Sequence, residues 1–164
     1  MEHVHRPTRA PDSLQQRDNP AALNRVALLA TLHCLTGCAI GEVAGMVIGT
    51  VLGWGNLETI VLAVVLAFLC GYLLTILPLL RNGYRLQSAA RLALAADTAS
   101  IAVMEIVDNL LMLLIPGAMD APLNSLLFWG SLSIALLVAG VAAYPVNRWL
   151  IARGHDHAPT HGHH

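Results

Sequence analysis

Four stretches of this chain, about residues 26–52, 57–80, 92–115 and 123–147, are each long and apolar enough to cross a bilayer, which needs roughly 20 predominantly apolar residues. Hydrocarbon offers the backbone no hydrogen bonds, so such stretches must satisfy their own N–H and C=O groups as helices. Short connections join the first stretch to the second and the third to the fourth. The expected fold is therefore all-α: a polytopic membrane protein with four transmembrane helices in two antiparallel hairpins. The composition points the same way, with 56% hydrophobic and only 12% charged residues in 164 and a mean hydropathy of +0.63.

Three regions follow. Residues 1–24 are polar and proline-bearing and lack the apolar centre of a secretory signal, so they are expected to remain as a cytoplasmic segment. Residues 25–150 form the transmembrane domain, and residues 151–164 a His-rich cytoplasmic tail. Orientation comes from the basic residues, which accumulate on cytoplasmic flanks. All nine are Arg: Arg6, Arg9, Arg17 and Arg25 precede helix 1, Arg81, Arg85 and Arg91 lie between helices 2 and 3, and Arg148 and Arg153 follow helix 4. Both termini and the central loop should face the cytoplasm of a bacterial inner membrane, with the turns GWGN and PGAMDAP outside. Basic residues spread along membrane flanks make no patch for phosphate, so nucleic acid is not an expected partner.

The punctuation fits these spans. Asn19 followed by Pro20 reads as a helix start, Asn56 as the cap of helix 2, and Gly83 as a left-handed helix stop. Pro116 ends helix 3, helix 4 follows Pro122, and Tyr144 and Trp149 suit the interfacial aromatic belt. A weak parallel repeat relates LPLLR to YPVNR at an offset of 67 residues, which also carries Cys38 onto Glu105. It would make helices 1 and 3 equivalent about an axis along the membrane normal, with a site between them.

The run HCLTGCAIGEVAG at 33–45 places ionisable groups inside helix 1. At about 100° per residue, Cys34, Cys38 and Glu42 share one face, with Met46 at its edge. Gly37, Gly41, Gly45, Gly49 and Gly53 recur every four residues on the same half. A row without side chains lets a neighbouring backbone approach, so the first four of these glycines are also a candidate surface for a homo-oligomer. Helix 3 is equally two-sided: Asp97, Met104, Glu105, Asp108, Asn109 and Met112 lie opposite Ala99, Val103, Ile106, Leu110 and Leu113. An acid facing lipid costs about 3 kcal/mol, so the acids should turn inward. Helices 2 and 4 carry almost nothing ionisable, which predicts a polar seam between helices 1 and 3 with the other two as an apolar coat.

The seam supports three readings. Thiolates and thioethers select soft ions such as copper(I), and imidazole suits copper and zinc. His33, Cys34, Cys38, Glu42, Glu105 and Asp108 are accordingly the candidate ligands for a transition-metal ion that is bound or translocated, with Cys70 of helix 2 at a comparable depth. Alternatively Glu42, Glu105, Asp97 and Asp108 relay protons without a metal, or the polar groups only fix helix pairing in a structural or assembly subunit. Cys34 and Cys38 are poorly placed for a relaxed disulfide, one turn apart on a continuous helix. No nucleophile–base pair, phosphate loop or cofactor fingerprint is present, so enzymatic activity is not expected. The histidines at 155, 157, 161, 163 and 164 could collect metal ions at the cytoplasmic end.

Through LHCLTGCAIGEVAGMVIGT, LALAADTASIAVMEIVDN, IPGAMD and AYPVNRWLIARG, over about residues 28–153, the chain resembles a bacterial membrane family known as domain of unknown function 4396. The resemblance implies a small inner-membrane protein. It transfers no activity, ligand or site residue.

Overall fold

A computed structural model describes residues 20–156. Four helices account for nearly all of them: α1 (Pro20–Leu52), α2 (Asn56–Arg81), α3 (Leu86–Leu114) and α4 (Leu126–Asp156). α1 starts several residues before the predicted span. α4 begins a turn later than expected and continues through Pro145 past the predicted end. There the Arg153 guanidinium stacks 4.0 Å over the Trp149 ring. Asn19 and the tail histidines from His157 onward lie outside the described residues, as does the side chain of His155.

α1, α2 and the Leu126–Arg153 part of α4 are long and apolar enough to cross a membrane. α3 is long enough but does not meet the same standard of composition, because Asp97, Glu105 and Asp108 crowd its central and C-terminal turns. Its acids are buried, while Ile106, Leu110, Leu113 and Leu114 form an exposed apolar face.

Two tight stops fold the hairpins. Gly53 ends α1 with φ 68° and Gly83 follows α2 with φ 86°, a backbone region that costs glycine nothing and other residues a steric clash. At the second, the Gly83 and Tyr84 amides donate to the carbonyls of Leu80 and Leu79, satisfying groups left open by the helix end. Asn56 does not cap α2 as expected. The preceding Gly55 occupies the cap position without a side-chain bond, and the Asn56 amide instead donates to Asp120 Oδ1 at 3.1 Å. That bond joins the α1–α2 turn to the α3–α4 connection and puts both at one end of the bundle.

α1 packs on α2 through the glycine row. A Cβ built at Gly37 would lie 2.7 Å from the Gly71 Cα, and Cβ atoms at Gly41, Gly45 and Gly49 would overlap Ala67, Ala63 and Thr59. As one partner number rises by four the other falls by four, so the helices are antiparallel and in register along their lengths. The glycine row expected to serve a second copy is packed against α2 of the same chain. α4 carries a comparable row in Ala135, Ala139 and Ala143, all fully buried. Among the described residues α1 and α3 each touch all three other helices, whereas α2 and α4 do not touch. The bundle is a flattened diamond with α1 and α3 on its short diagonal.

Candidate functional site

The short diagonal brings the two polar faces together. Cys34 of α1 donates its thiol to Asp97 Oδ1 of α3 at 3.7 Å. One turn on, Cys38 stands beside Glu105, and one turn further Glu42 stands beside Asp108. Met46 and Met112 then share a buried cluster with Phe128 and Leu132 of α4. Each α1 residue meets an α3 residue 63 to 67 positions later, so the two helices run parallel.

The acids are withdrawn from the surroundings: Glu42 is 0%, Asp108 1% and Glu105 4% exposed. Although neighbouring side chains stand close, none completes a hydrogen bond of proper geometry to them. Both carboxyl oxygens of Glu42, Glu105 and Asp108 are without a partner, together with Asn109 Oδ1 and Ser100 Oγ. Asn109 does use its amide, donating to the Glu105 carbonyl at 2.9 Å. All the orphaned atoms are oxygens. Every described Arg is exposed, so no guanidinium reaches inside to balance the acids.

Asp97 behaves differently. Besides the Cys34 thiol it accepts the Thr75 hydroxyl of α2 at 2.6 Å, and Thr75 Oγ1 lies 3.0 Å from His33 Nε2 of α1. Three helices thus meet in one hydrogen-bonded cluster. The reading of α2 as plain coat is corrected here, because Thr75 enters the polar interior and Tyr72 bonds Thr98 of α3 at 2.9 Å. α4 also contributes: Asn147, 3% exposed, donates to Thr31 Oγ1 of α1 at 2.9 Å.

Of the six candidate ligands, Cys38, Glu42, Glu105 and Asp108 line one stretch of the seam. His33 and Cys34 belong instead to the Asp97 cluster. Among the described residues no three His, Cys, Asp or Glu side chains converge closely enough to hold a metal ion. Cys70 is a free, half-buried thiol. Thr75 escaped the sequence reading because a single Thr in GYLLTILPLL carries no periodic signal. Asp97 was visible on the polar face, but its partners were not.

No curated protein and no solved structure matches the chain. A family model described as Domain of unknown function (DUF4396) matches residues 23–156, and the chain belongs to that family.

Proposed function

We propose that this chain is an integral membrane protein that binds and moves a cation along the acids between α1 and α3, and that the cation is the proton. The observation that carries this is the set of orphaned oxygens: three buried carboxyl groups face one another without a completed hydrogen bond, and every described Arg is exposed. Burying an unpaired carboxylate in an apolar interior is prohibitively costly, so each group needs a bound proton or a shared cation. A proton needs no preformed cage, whereas a zinc ion takes four protein ligands in a structural site and three in a catalytic one. From Asp97 to Asp108 the acids span eleven residues of α3, or about 16 Å at 1.5 Å per residue. That is roughly half of a hydrocarbon core about 30 Å thick. Water between the carboxyl groups would complete the path, as buried waters commonly bridge otherwise unsatisfied polar atoms.

In this reading α3 is the fourth span, shielded by its neighbours on the acidic side and facing lipid with Ile106, Leu110 and Leu113. The Arg distribution orients both termini to the cytoplasm of a bacterial inner membrane. The test is purified protein in vesicles, given an acid pulse and followed with an internal pH dye. Flux should persist after chelation of metals and vanish in Glu105→Gln. No flux above empty vesicles, with no stoichiometric copper, zinc, iron or manganese, would leave a structural or assembly role. Flux or binding that depends on one of those metals, and is lost in Cys38→Ala, would restore the soft-metal reading.

A further inference from the structure

We infer that His33, Thr75 and Asp97 form a directional proton relay feeding the acid row, with the Thr75 hydroxyl as its obligatory link. This rests on the proton reading above. The direction follows from counting hydrogens. A hydroxyl has one proton to donate, and the 2.6 Å contact commits that of Thr75 to Asp97 Oδ2, since a carboxylate only accepts. Towards His33 the same oxygen must then accept, so His33 Nε2 carries the hydrogen across the 3.0 Å contact and Nδ1 is the free acceptor. The chain His33 Nε2–H to Thr75 O–H to Asp97 is thus ordered end to end. His33 is half-buried and Asp97 is 7% exposed, so the relay runs from the accessible end inward.

The step balances without another reagent. A proton reaches His33 Nδ1; the Nε2 proton passes to Thr75 Oγ1 as the Thr75 proton passes to Asp97 Oδ2. His33 is left neutral with its hydrogen on Nδ1, and Asp97 holds the transferred proton. The relay resets when Asp97 delivers its proton inward, the Thr75 hydroxyl rotates back towards Asp97, and the His33 ring swings to the accessible side, where Nε2 takes up one proton and Nδ1 gives one up, leaving the ring neutral with its hydrogen on Nε2. Cys34 faces the other oxygen of Asp97 and is, among the described residues, the one further titratable group hydrogen-bonded to it. Tyr72, one turn before Thr75, cannot substitute. Its hydroxyl is bound to Thr98, whose own proton is committed to the Leu94 carbonyl at 2.5 Å.

The relay is tested in vesicles with Thr75→Val, which keeps the shape and removes the hydroxyl, and Thr75→Ser, which keeps the hydroxyl. Nitrogen-15 NMR of His33 in the unmodified protein is the second measurement. Thr75→Val should lower proton flux by about a hundredfold, the range of a lost acid–base group, while Thr75→Ser retains it. Neutral His33 should carry its hydrogen on Nε2. Undiminished flux in Thr75→Val alongside loss in Glu42→Gln overturns the relay and leaves the acid row standing. An Nδ1–H tautomer also overturns it, and absence of flux from the unmodified protein removes both. Should Thr75→Val fail to fold, Asp97→Asn takes its place, and retained flux there overturns the relay equally.

Discussion

Glu42 of α1 and Asp108 of α3 face each other in the interior of the bundle, both essentially inaccessible, and neither carboxyl is satisfied by a hydrogen bond. Two acids in this position oppose folding, so their presence is better explained by what they do than by what they hold together. Glu42→Gln supplies amide hydrogens beside the Asp108 oxygens with almost no change in volume. It should stabilise the protein by about 1–3 kcal/mol, the cost of an unsatisfied buried polar group. Unfolding in mixed detergent measures the gain, and proton flux in vesicles should be lost in the same variant. Lower stability would mean that the pair binds the helices together.

The contact between Gly41 and Ala67 predicts an unusually strict requirement. A methyl group at Gly41 would collide with the Ala67 backbone, which cannot move without separating α1 from α2. Gly41→Ala should therefore cost about 1–3 kcal/mol, as overpacking does elsewhere. Gly130 of α4 has open space where a Cβ would stand. Gly130→Ala should leave stability unchanged or raise it by less than about 1 kcal/mol. Equal losses in the two variants would show that α1 and α2 do not pack through this row.

How much of this was visible in the sequence depends on how local each feature is. The faces of α1 and α3 followed from helical periodicity alone, and Cys34, Cys38, Glu42, Glu105 and Asp108 all turned inward. The glycine row was equally legible as a close-packing surface. Which helix would cover it was not, because four helices offer several partners and no local signal distinguishes Ala63, Ala67 and Gly71 from a second copy. Asn56 shows the same limit. Its cap-like position is local, but the acceptor it uses, Asp120, lies 64 residues away. The His33–Thr75–Asp97 cluster required the mutual register of three helices, and register is set by packing rather than by any one segment.

Asn147 ties α4 to α1 through Thr31, whose own hydroxyl donates to the Ala27 carbonyl at 2.9 Å. Removing the amide leaves Thr31 with an unused acceptor but no stranded donor. Asn147→Leu should therefore lower stability by only about 1 kcal/mol, within the measured range for hydrogen bonds between membrane helices. Neighbouring Arg148 donates to Asn24 at 2.8 Å in an exposed position. Arg148→Ala should change unfolding less than Asn147→Leu does. The reverse order would place the α1–α4 attachment at the surface.

The diamond arrangement predicts which helices can be cross-linked. Met46 of α1 and Met112 of α3 occupy one buried cluster, whereas α2 and α4 do not meet among the described residues. Oxidation in native membranes should bridge a Met46→Cys, Met112→Cys pair within one chain, with Cys34, Cys38 and Cys70 replaced by Ala. A Val61→Cys, Val141→Cys pair, on exposed faces of α2 and α4, should not be bridged. An intramolecular bridge in the second pair and none in the first would put α2 and α4 on the short diagonal. The acids of α1 and α3 would then be separated by other helices, and neither the acid row nor its relay could conduct.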